Sequence, residues 1–433
     1  MKVAVIGTGY VGLVSGACFA EIGHEVICID NNVDKINTLK QGGIPIYEPG
    51  LKELVKKNVD AGRLSFSTSI KEGVEKCEVI FVAVNTPPLP DGSADLCYVE
   101  AVSHEIAINL TEYRIIVSKS TVPVETGHWI KKTIKRYSPP GDDYDVASNP
   151  EFLREGKAID DFLYPDRVVI GVESEKARHK MLELYQPISE RTEILITNIE
   201  SSELIKHASN SFLALKISYI NAVAVICEKT GADIREVARG MGLDSRIGHK
   251  FLQAGAGFGG SCFPKDLSAF IKISEKLGYD FRLLKEVQSI NDYQRGLVVE
   301  KVRNALWNLR GKTVAVLGLA FKPDTDDMRN APSIDIIRSM VEEGAKIRAC
   351  DPAAEENARK ILPGKVQYFK GPAATAEGAD LLLILTEWDE YKNMDLDEIK
   401  GLLAQPPTIV DGRNIFDPED MKKKGITYYG IGI

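Results

Sequence analysis

Residues 3–6 (VAVI) read as a short buried strand, and the chain then turns through Gly7, Gly9 and Gly12 into an apolar segment, 13–22, that reads as a helix. A second strand, 25–29, runs into an acid, Asp30. In this setting Gly7 permits a tight turn, Gly9 lets a phosphate approach the backbone, and Gly12 lets the helix pack close to the strand. The helix N-terminus offers free N–H groups and the positive end of its dipole to that phosphate. Strand, G-x-G-x-x-G, helix and acid in register make a dinucleotide fingerprint. Asp30 can accept hydrogen bonds from both ribose hydroxyls and would repel a 2′-phosphate, so the expected cofactor is NAD rather than NADP. Lys2 ahead of an apolar run also suggests a secretory leader, but three glycines break the run and no good A-x-A site ends it.

A chain of 433 residues predicts two or three domains. The net charge of −8, with no dense Lys/Arg run, argues against nucleic acid or an anionic membrane as the main partner. The 7 cysteines are scattered and show no C-x-x-C, so neither a disulfide framework nor a metal site is expected, and a reducing cytoplasm fits. The most apolar helical stretch, 212–227, contains Lys216, Ser218 and Asn221 and reads as a buried helix rather than a membrane span.

A weak internal repeat organises the rest. KVAVIG at 2–7 is echoed by KTVAVLG at 312–318, GHEVICID at 23–30 by GAKIRACD at 344–351, and CEVIFVAVNTP at 77–87 by ADLLLILTEW at 379–388. Each half alternates strands and helices, the pattern of a mostly parallel sheet. The predicted fold is α/β: two Rossmann-like, doubly wound parallel-sheet domains joined by a central helical domain with a long connecting helix. The boundaries expected are 1–198, 199–307 and 308–433. The second copy has lost the glycine fingerprint and continues GLAFKPDTDDMR, where Lys322 and Arg329 offer charge to another phosphate-bearing ligand. Between the halves, 201 to about 307 reads as helical, with Ser201 or Ser202 capping a helix that runs through Ile226. The second half of that helix is apolar on most sides, which suggests a homodimer built on it or cover from both domains of one chain.

Four clusters carry candidate chemistry. In 255–266 (GAGFGGSCFPKD) small residues precede one thiol, and Pro264 opens a helix. Cys262 then lies at a helix N-terminus beside Lys265, where thiolate is favoured, with Asp266 in the first turn; a packing thiol beside a flexible loop is the plainer reading. In 203–210 (ELIKHASN) Lys206 and Asn210 share a helical face and can hold an oxyanion, or form a solvated polar stripe, while His207 points elsewhere. In 148–156 (SNPEFLREG) Glu151 and Glu155 are also four apart and can position water, or merely enrich a helix N-terminus in acid. The turns VNTP at 84–87 and STVP at 120–123 follow apolar strands, where an open parallel sheet binds its ligands, and Thr121 can contact water or substrate.

Together GTGYVG at 7–12, VNTP, STVP, NPEFLREG at 149–156, KHASN at 206–210, SRIGHKFL at 245–252, GFGGSCFPKD at 257–266, FKPDTDDMR from Phe321 and DGRN from Asp411 make the whole chain similar to the nucleotide-sugar 6-dehydrogenases of the UDP-glucose/GDP-mannose dehydrogenase family. The resemblance implies oxidation of the C6 alcohol of UDP-glucose twice, with two NAD reduced and no free aldehyde released. Cys262 would form a thiohemiacetal and then a thioester, Lys206 and Asn210 would stabilise oxyanions, Asp266 with Lys206 would manage protons and water, and Glu151 and Thr121 would assist. It also implies NAD contacts at Gly7, Gly9, Tyr10, Val11, Gly12, Asp30, Lys35, Thr86, Thr121, Glu155, Lys265 and Arg329. UDP-sugar contacts are implied at Glu151, Phe152, Leu153, Lys206, Asn210, Phe251, Leu252, Gly257, Phe258, Cys262, Lys322 and Arg413, with Arg246 reaching a neighbouring subunit's substrate. Gln253 stands where some relatives carry a basic residue. Relatives that oxidise GDP-mannose or UDP-N-acetylhexosamines, a two-electron hydroxyacid dehydrogenase and a non-catalytic nucleotide sensor are the competing readings; 95–101 and 165–171 look like the UDP-glucose branch.

Overall fold

The computed structural model of the chain describes residues 1–139 and 143–433. They divide into two compact units, Met1–Ser209 with Ser268–Gly278, and Asn210–Leu267 with Tyr279–Ile433.

The first unit holds eight strands: β1 (Lys2–Ile6), β2 (Glu25–Ile29), β3 (Leu64–Ser67), β4 (Val79–Val82), β5 (Arg114–Ser118), β6 (Tyr144–Ser148), β7 (Arg167–Gly171) and β8 (Glu193–Thr197). They are ordered β3-β2-β1-β4-β5-β6-β7-β8, all parallel except the β6–β7 pair. Strands such as VIFV in β4 are apolar throughout because helices cover both faces of a parallel sheet. The two-residue alternation of a strand divides them between two cores: Val3 and Val5 of β1 face one, Ala4 and Ile6 the other.

The second unit repeats this plan. Its strands β9 (Thr313–Leu317), β10 (Lys346–Cys350), β11 (Gln367–Tyr368), β12 (Leu381–Ile384), β13 (Thr408–Asp411) and β14 (Thr427–Tyr429) are ordered β11-β10-β9-β12-β13-β14, all parallel. Val314 and Val316 face one core, Ala315 and Leu317 the other. The glycines that end β1 and β9 are equivalent: Gly7 N–H donates to Ile29 O at 2.7 Å and Gly318 N–H to Cys350 O at 3.0 Å. Both have positive φ, 105° and 95°. The expected doubly wound architecture is therefore present twice.

A 32-residue helix, Ile199–Thr230, follows β8. Its cap is Asn198, whose Oδ1 accepts from Ser201 N–H at 2.8 Å, not Ser201 or Ser202. Ser202 lies inside the helix and bonds Ser148 instead. Ile220, Ala224 and Cys227 pack into the second unit's core with Val298 and Val302 of the helix Arg282–Leu306. Phe212, Tyr219 and Ile226, seven residues apart, are exposed on one face. By length and composition alone this helix could cross a membrane, but part of it is committed to the core. The stretch 201–307 is helical only in part: residues 243–262 form an irregular loop, in which Gly248, Phe251, Gly257 and Gly260 take positive φ values that a helix excludes.

Replacing Asn198 by Ala leaves the Ser201 N–H without its acceptor. The expected loss is about 1 kcal/mol, read as a lower urea midpoint for the first unit.

Candidate active site

The turn after β1 has no room for a side chain at Gly7 or Gly12. A Cβ on Gly7 would stand 2.5 Å from Ala83 O, and one on Gly12 would collide with Gly7 O. The helix that follows is Tyr10–Glu21, so Gly12 lies in its first turn rather than ahead of it. Gly9 is its N-cap and supplies no side-chain acceptor, so a backbone helix N-terminus, the feature that suits a phosphate, ends this turn. Asp30 Oδ2 accepts from both the N–H and the hydroxyl of Thr8, at 2.9 and 2.8 Å, and Oδ1 accepts from Asn32 N–H. Burial opposes its ionisation, but those donors and Lys35, 3.9 Å away, hold the carboxyl below its usual range. A small-residue turn, an uncapped helix start and an ionised acid fit a dinucleotide with a free 2′-hydroxyl. The two strand-end turns are tied together where Thr86 donates to Thr121 O at 2.9 Å.

Glu151, in the same unit, is 4% exposed. One of its oxygens takes Lys206 Nζ at 2.8 Å and the other Leu153 N–H at 2.6 Å. Phe152 stacks under Arg167, and Lys206 Nζ lies 5.3 Å from its ring centre. The helical pairing expected of Glu151 and Glu155 does not form. Residues 151–157 are irregular because Glu48 captures the N–H groups of Gly156 and Ala158, and the helix Ala158–Leu163 starts only there. Glu155 lies half-buried in the turn before it. His207 is structural, as expected, donating from Nε2 to Val122 O at 2.8 Å. Glu203 accepts the N–H groups of Glu125 and Gly127, both at 2.8 Å, at the start of the helix Thr126–Tyr137. Burial pushes its carboxyl up to about 7, against those two bonds.

The second unit carries the thiol. Cys262 immediately precedes the helix Phe263–Lys276, and its carbonyl accepts the Asp266 N–H at 2.8 Å. Its Sγ is half-buried, 3.5 Å from Ser261 Oγ. Asp266 is fully buried; its carboxylate takes Asn210 Nδ2 at 2.6 Å and Lys265 Nζ at 2.8 Å. Three buried amides hold the glycine loop: Asn221, which the sequence marks only as a polar residue in an apolar helix, accepts from Gly255 N–H, while Asn291 and Gln294, which it does not mark, respectively bracket Phe258 through N–H and C=O and donate to Gly255 O. A Cβ on Gly257, whose φ is 100°, would press on Asn291 at 2.8 Å. The signal available for these amides was Asn or Gln on the apolar face of a helix.

Arg413 joins this unit's strand ends, donating to Leu385 O and Phe321 O, while Asp411 gathers the N–H groups of Arg413, Ile415 and Phe416 and the Tyr428 hydroxyl. Lys322 stands over Phe321. Leu252 and Phe258 are buried, and Phe251 and Phe258 flank Phe263. Arg329 pairs with Asp327, its carbonyl anchoring Gly260 N–H. Arg246 is 87% exposed and paired with Asp244. Among the described residues no group of three His, Cys, Asp or Glu could hold a metal ion.

Three family models match the chain in order: the NAD binding domain of the UDP-glucose/GDP-mannose dehydrogenase family over residues 1–189, its central domain over 200–293 and its UDP binding domain over 315–418. The chain is 50% identical to UDP-glucose 6-dehydrogenase TuaD of Bacillus subtilis (strain 168), covering 100% of this chain and 93% of that one. Among solved structures it is similar to a UDP-glucose dehydrogenase of Pyrobaculum islandicum (TM-score 0.93, 39% identity, 100% and 97% covered). It is also similar to a UDP-D-ManNAc dehydrogenase of Pyrococcus horikoshii (TM-score 0.88, 26% identity, 100% and 99% covered).

A carboxyl that titrates higher in the fold than in the unfolded chain gives stability that is complete below the unfolded value and is lost as pH rises through the folded one. Glu203 therefore makes the protein less stable between pH 4.5 and about 7. In Glu203→Gln, denaturation midpoints measured across that range should fall less steeply, by on the order of 2 kcal/mol.

Proposed function

The chain belongs to the UDP-glucose/GDP-mannose dehydrogenase family, and we propose that it converts UDP-glucose to UDP-glucuronate through a covalent adduct on Cys262. It is an NAD-dependent oxidoreductase acting on UDP-glucose. Cys262 carries the covalent route. Of seven cysteines, Cys18, Cys28, Cys77, Cys227 and Cys350 are buried, with burial pushing each thiol upward. Exposed Cys97 is pushed the same way by its hydrogen bond to Asp95. Cys262 alone is half-buried at the start of a helix, where thiolate is favoured.

Bound NAD supplies the hydride acceptor for each of two oxidations, held by the turn 7–12, Asp30 and Lys35, with Thr86, Thr121, Glu155, Lys265 and Arg329 as further contacts. Lys206 and Asn210, one turn apart on the long helix, would hold the alkoxide at C6 and later the oxyanion of the adduct. Cys262 Sγ would bond to the C6 aldehyde carbon, retaining it as a thiohemiacetal whose oxidation gives a thioester. Water then cleaves the C–S bond, yielding the acid and the free thiol. Glu151 would take a proton in that hydrolysis or in the first deprotonation, Thr121 would hold the water, and Asp266, placed by Asn210 and Lys265, would shuttle its proton. Phe152, Leu153, Phe251, Leu252, Gly257, Phe258, Lys322 and Arg413 are the proposed UDP-sugar contacts. The UDP-glucose choice is supported by 50% identity to an enzyme of that name, against 26% to the UDP-D-ManNAc dehydrogenase.

The division 1–198, 199–307 and 308–433 follows the three family domains. A homodimer is proposed on the helix Ile199–Thr230, supported by the exposed Phe212, Tyr219 and Ile226; Arg246 would then serve the partner's site. Seven free thiols agree with a cytoplasmic setting.

Incubation with NAD and a panel of UDP- and GDP-sugars should release two NADH per UDP-glucuronate, by absorbance and product mass. One NADH per substrate would leave a two-electron dehydrogenase. Cys262→Ser should lower acid formation at least 100-fold, about 3 kcal/mol of barrier. Tyr219→Glu should sediment as a monomer where the parent sediments as a dimer.

A further inference from the structure

Lys119 is the first residue after β5, and it is 5% exposed. Its Nζ lies about equally far from the rings of Phe81 and Phe162, at 5.9 and 6.0 Å. Its hydrogen-bond partners are neutral: Asn149 Oδ1 at 2.9 Å and the Tyr185 hydroxyl at 3.4 Å. Among the described residues no carboxylate lies within ion-pair reach of it. A buried amine without a counter-ion is costly to desolvate, whereas a methionine would fill the same space between two rings without that cost.

What the amine touches gives it a use. Asn149 is held on every side: its N–H donates to Ser118 O, its Nδ2 to Val169 O, and its Oδ1 accepts from both Lys119 and Tyr185. The chain continues through Pro150 to Glu151, the buried partner of Lys206. Lys119 thus pins the carboxyl ends of β5 and β6 together one residue before Thr121's turn begins to diverge and two residues before Glu151. Its charge also reaches the pair itself, attracting Glu151 and repelling Lys206.

We propose that Lys119 is a positioning residue for the oxidation: through Asn149 it aims Glu151 at Lys206, and its charge acts on that pair. The proposal rests on the reading of Glu151 and Lys206 as working groups of the reaction. One fact favours an electrostatic role over packing alone. Burial, with repulsion from Lys206 and against attraction by Glu151, pushes the Lys119 ammonium down to about 7. The groups that face Lys119 are Tyr185, kept protonated by burial, Asn149, Glu151 and Lys206.

The test compares pH profiles of kcat for the full chain, with saturating NAD and UDP-glucose, in the parent, Lys119→Met, Asn149→Asp and Glu203→Gln. Glu203 is included because it titrates in the same range. The proposal expects a parent ionisation near neutrality that Lys119→Met abolishes, with kcat down at least tenfold and KM for NAD within threefold. It expects Asn149→Asp, which gives the amine a counter-ion, to move that ionisation up by at least one pH unit. If Lys119→Met melts below the assay temperature, the Asn149→Asp shift decides. The proposal is overturned if Lys119→Met keeps kcat within twofold and the ionisation in place, if Asn149→Asp leaves it unmoved, or if Glu203→Gln removes it. A parent that does not oxidise UDP-glucose would instead overturn the underlying reading.

Discussion

Two opposite charges, 2.8 Å apart and each about 4% exposed, underlie the first unit's working end. Lys206 or Glu151 alone would be a charge stranded in the interior; removing one partner of such a pair costs about 3–5 kcal/mol. The pair therefore couples the register of the long helix to the turn after β6. Once that register is set, neighbouring helix positions find their partners: His207 meets Val122 O, and Glu203 meets the N–H groups of Glu125 and Gly127. Positions 203, 206 and 207 fall on one helical face, so three polar contacts tie one helix to the turns after β5 and β6. Thr121 and Glu151 take their places from this set of contacts.

The two sheets show how one strand–turn–strand plan serves two ends. Each first strand leads into a glycine of positive φ, and each second strand into an acid. In the first unit that acid, Asp30, takes Thr8 and Asn32 and lies within reach of Lys35. In the second, Asp351 is occupied by the N–H groups of Leu319, Ala320, Ala353 and Ala354. A carboxylate whose acceptor positions are filled by backbone holds a loop and is poorly placed to bind a ribose. The loss of the later glycines and the conversion of the acid to internal support go together.

The misread features have two causes, one local and one distant. Ser201 looked like a cap because serine is a good one, yet Asn198 stood three residues earlier and started the helix there, accepting Ser201's own N–H. Glu151 and Glu155 had helical spacing, yet Glu48, more than a hundred residues away, captured the backbone donors that a helix would have used. Local propensity predicts a structure only until a distant group competes for the same hydrogen bonds. Cys262 escaped this problem because its setting is local: small residues, then a thiol, then Pro264 opening a helix.

Periodicity and spacing within about thirty residues determined the strands, the glycine turn, the acid that selects the dinucleotide and the thiol at a helix start. Those features follow from contacts between near neighbours, and near neighbours are written next to each other. Tertiary structure alone decided which polar groups would be buried together: Lys206 with Glu151, Asp266 with Asn210, the amides Asn221, Asn291 and Gln294 around the glycine loop, and Lys119 beneath Asn149. A polar side chain looks the same in the sequence whether it meets water or a partner. Only the folded chain, by excluding the water, determines which it must be.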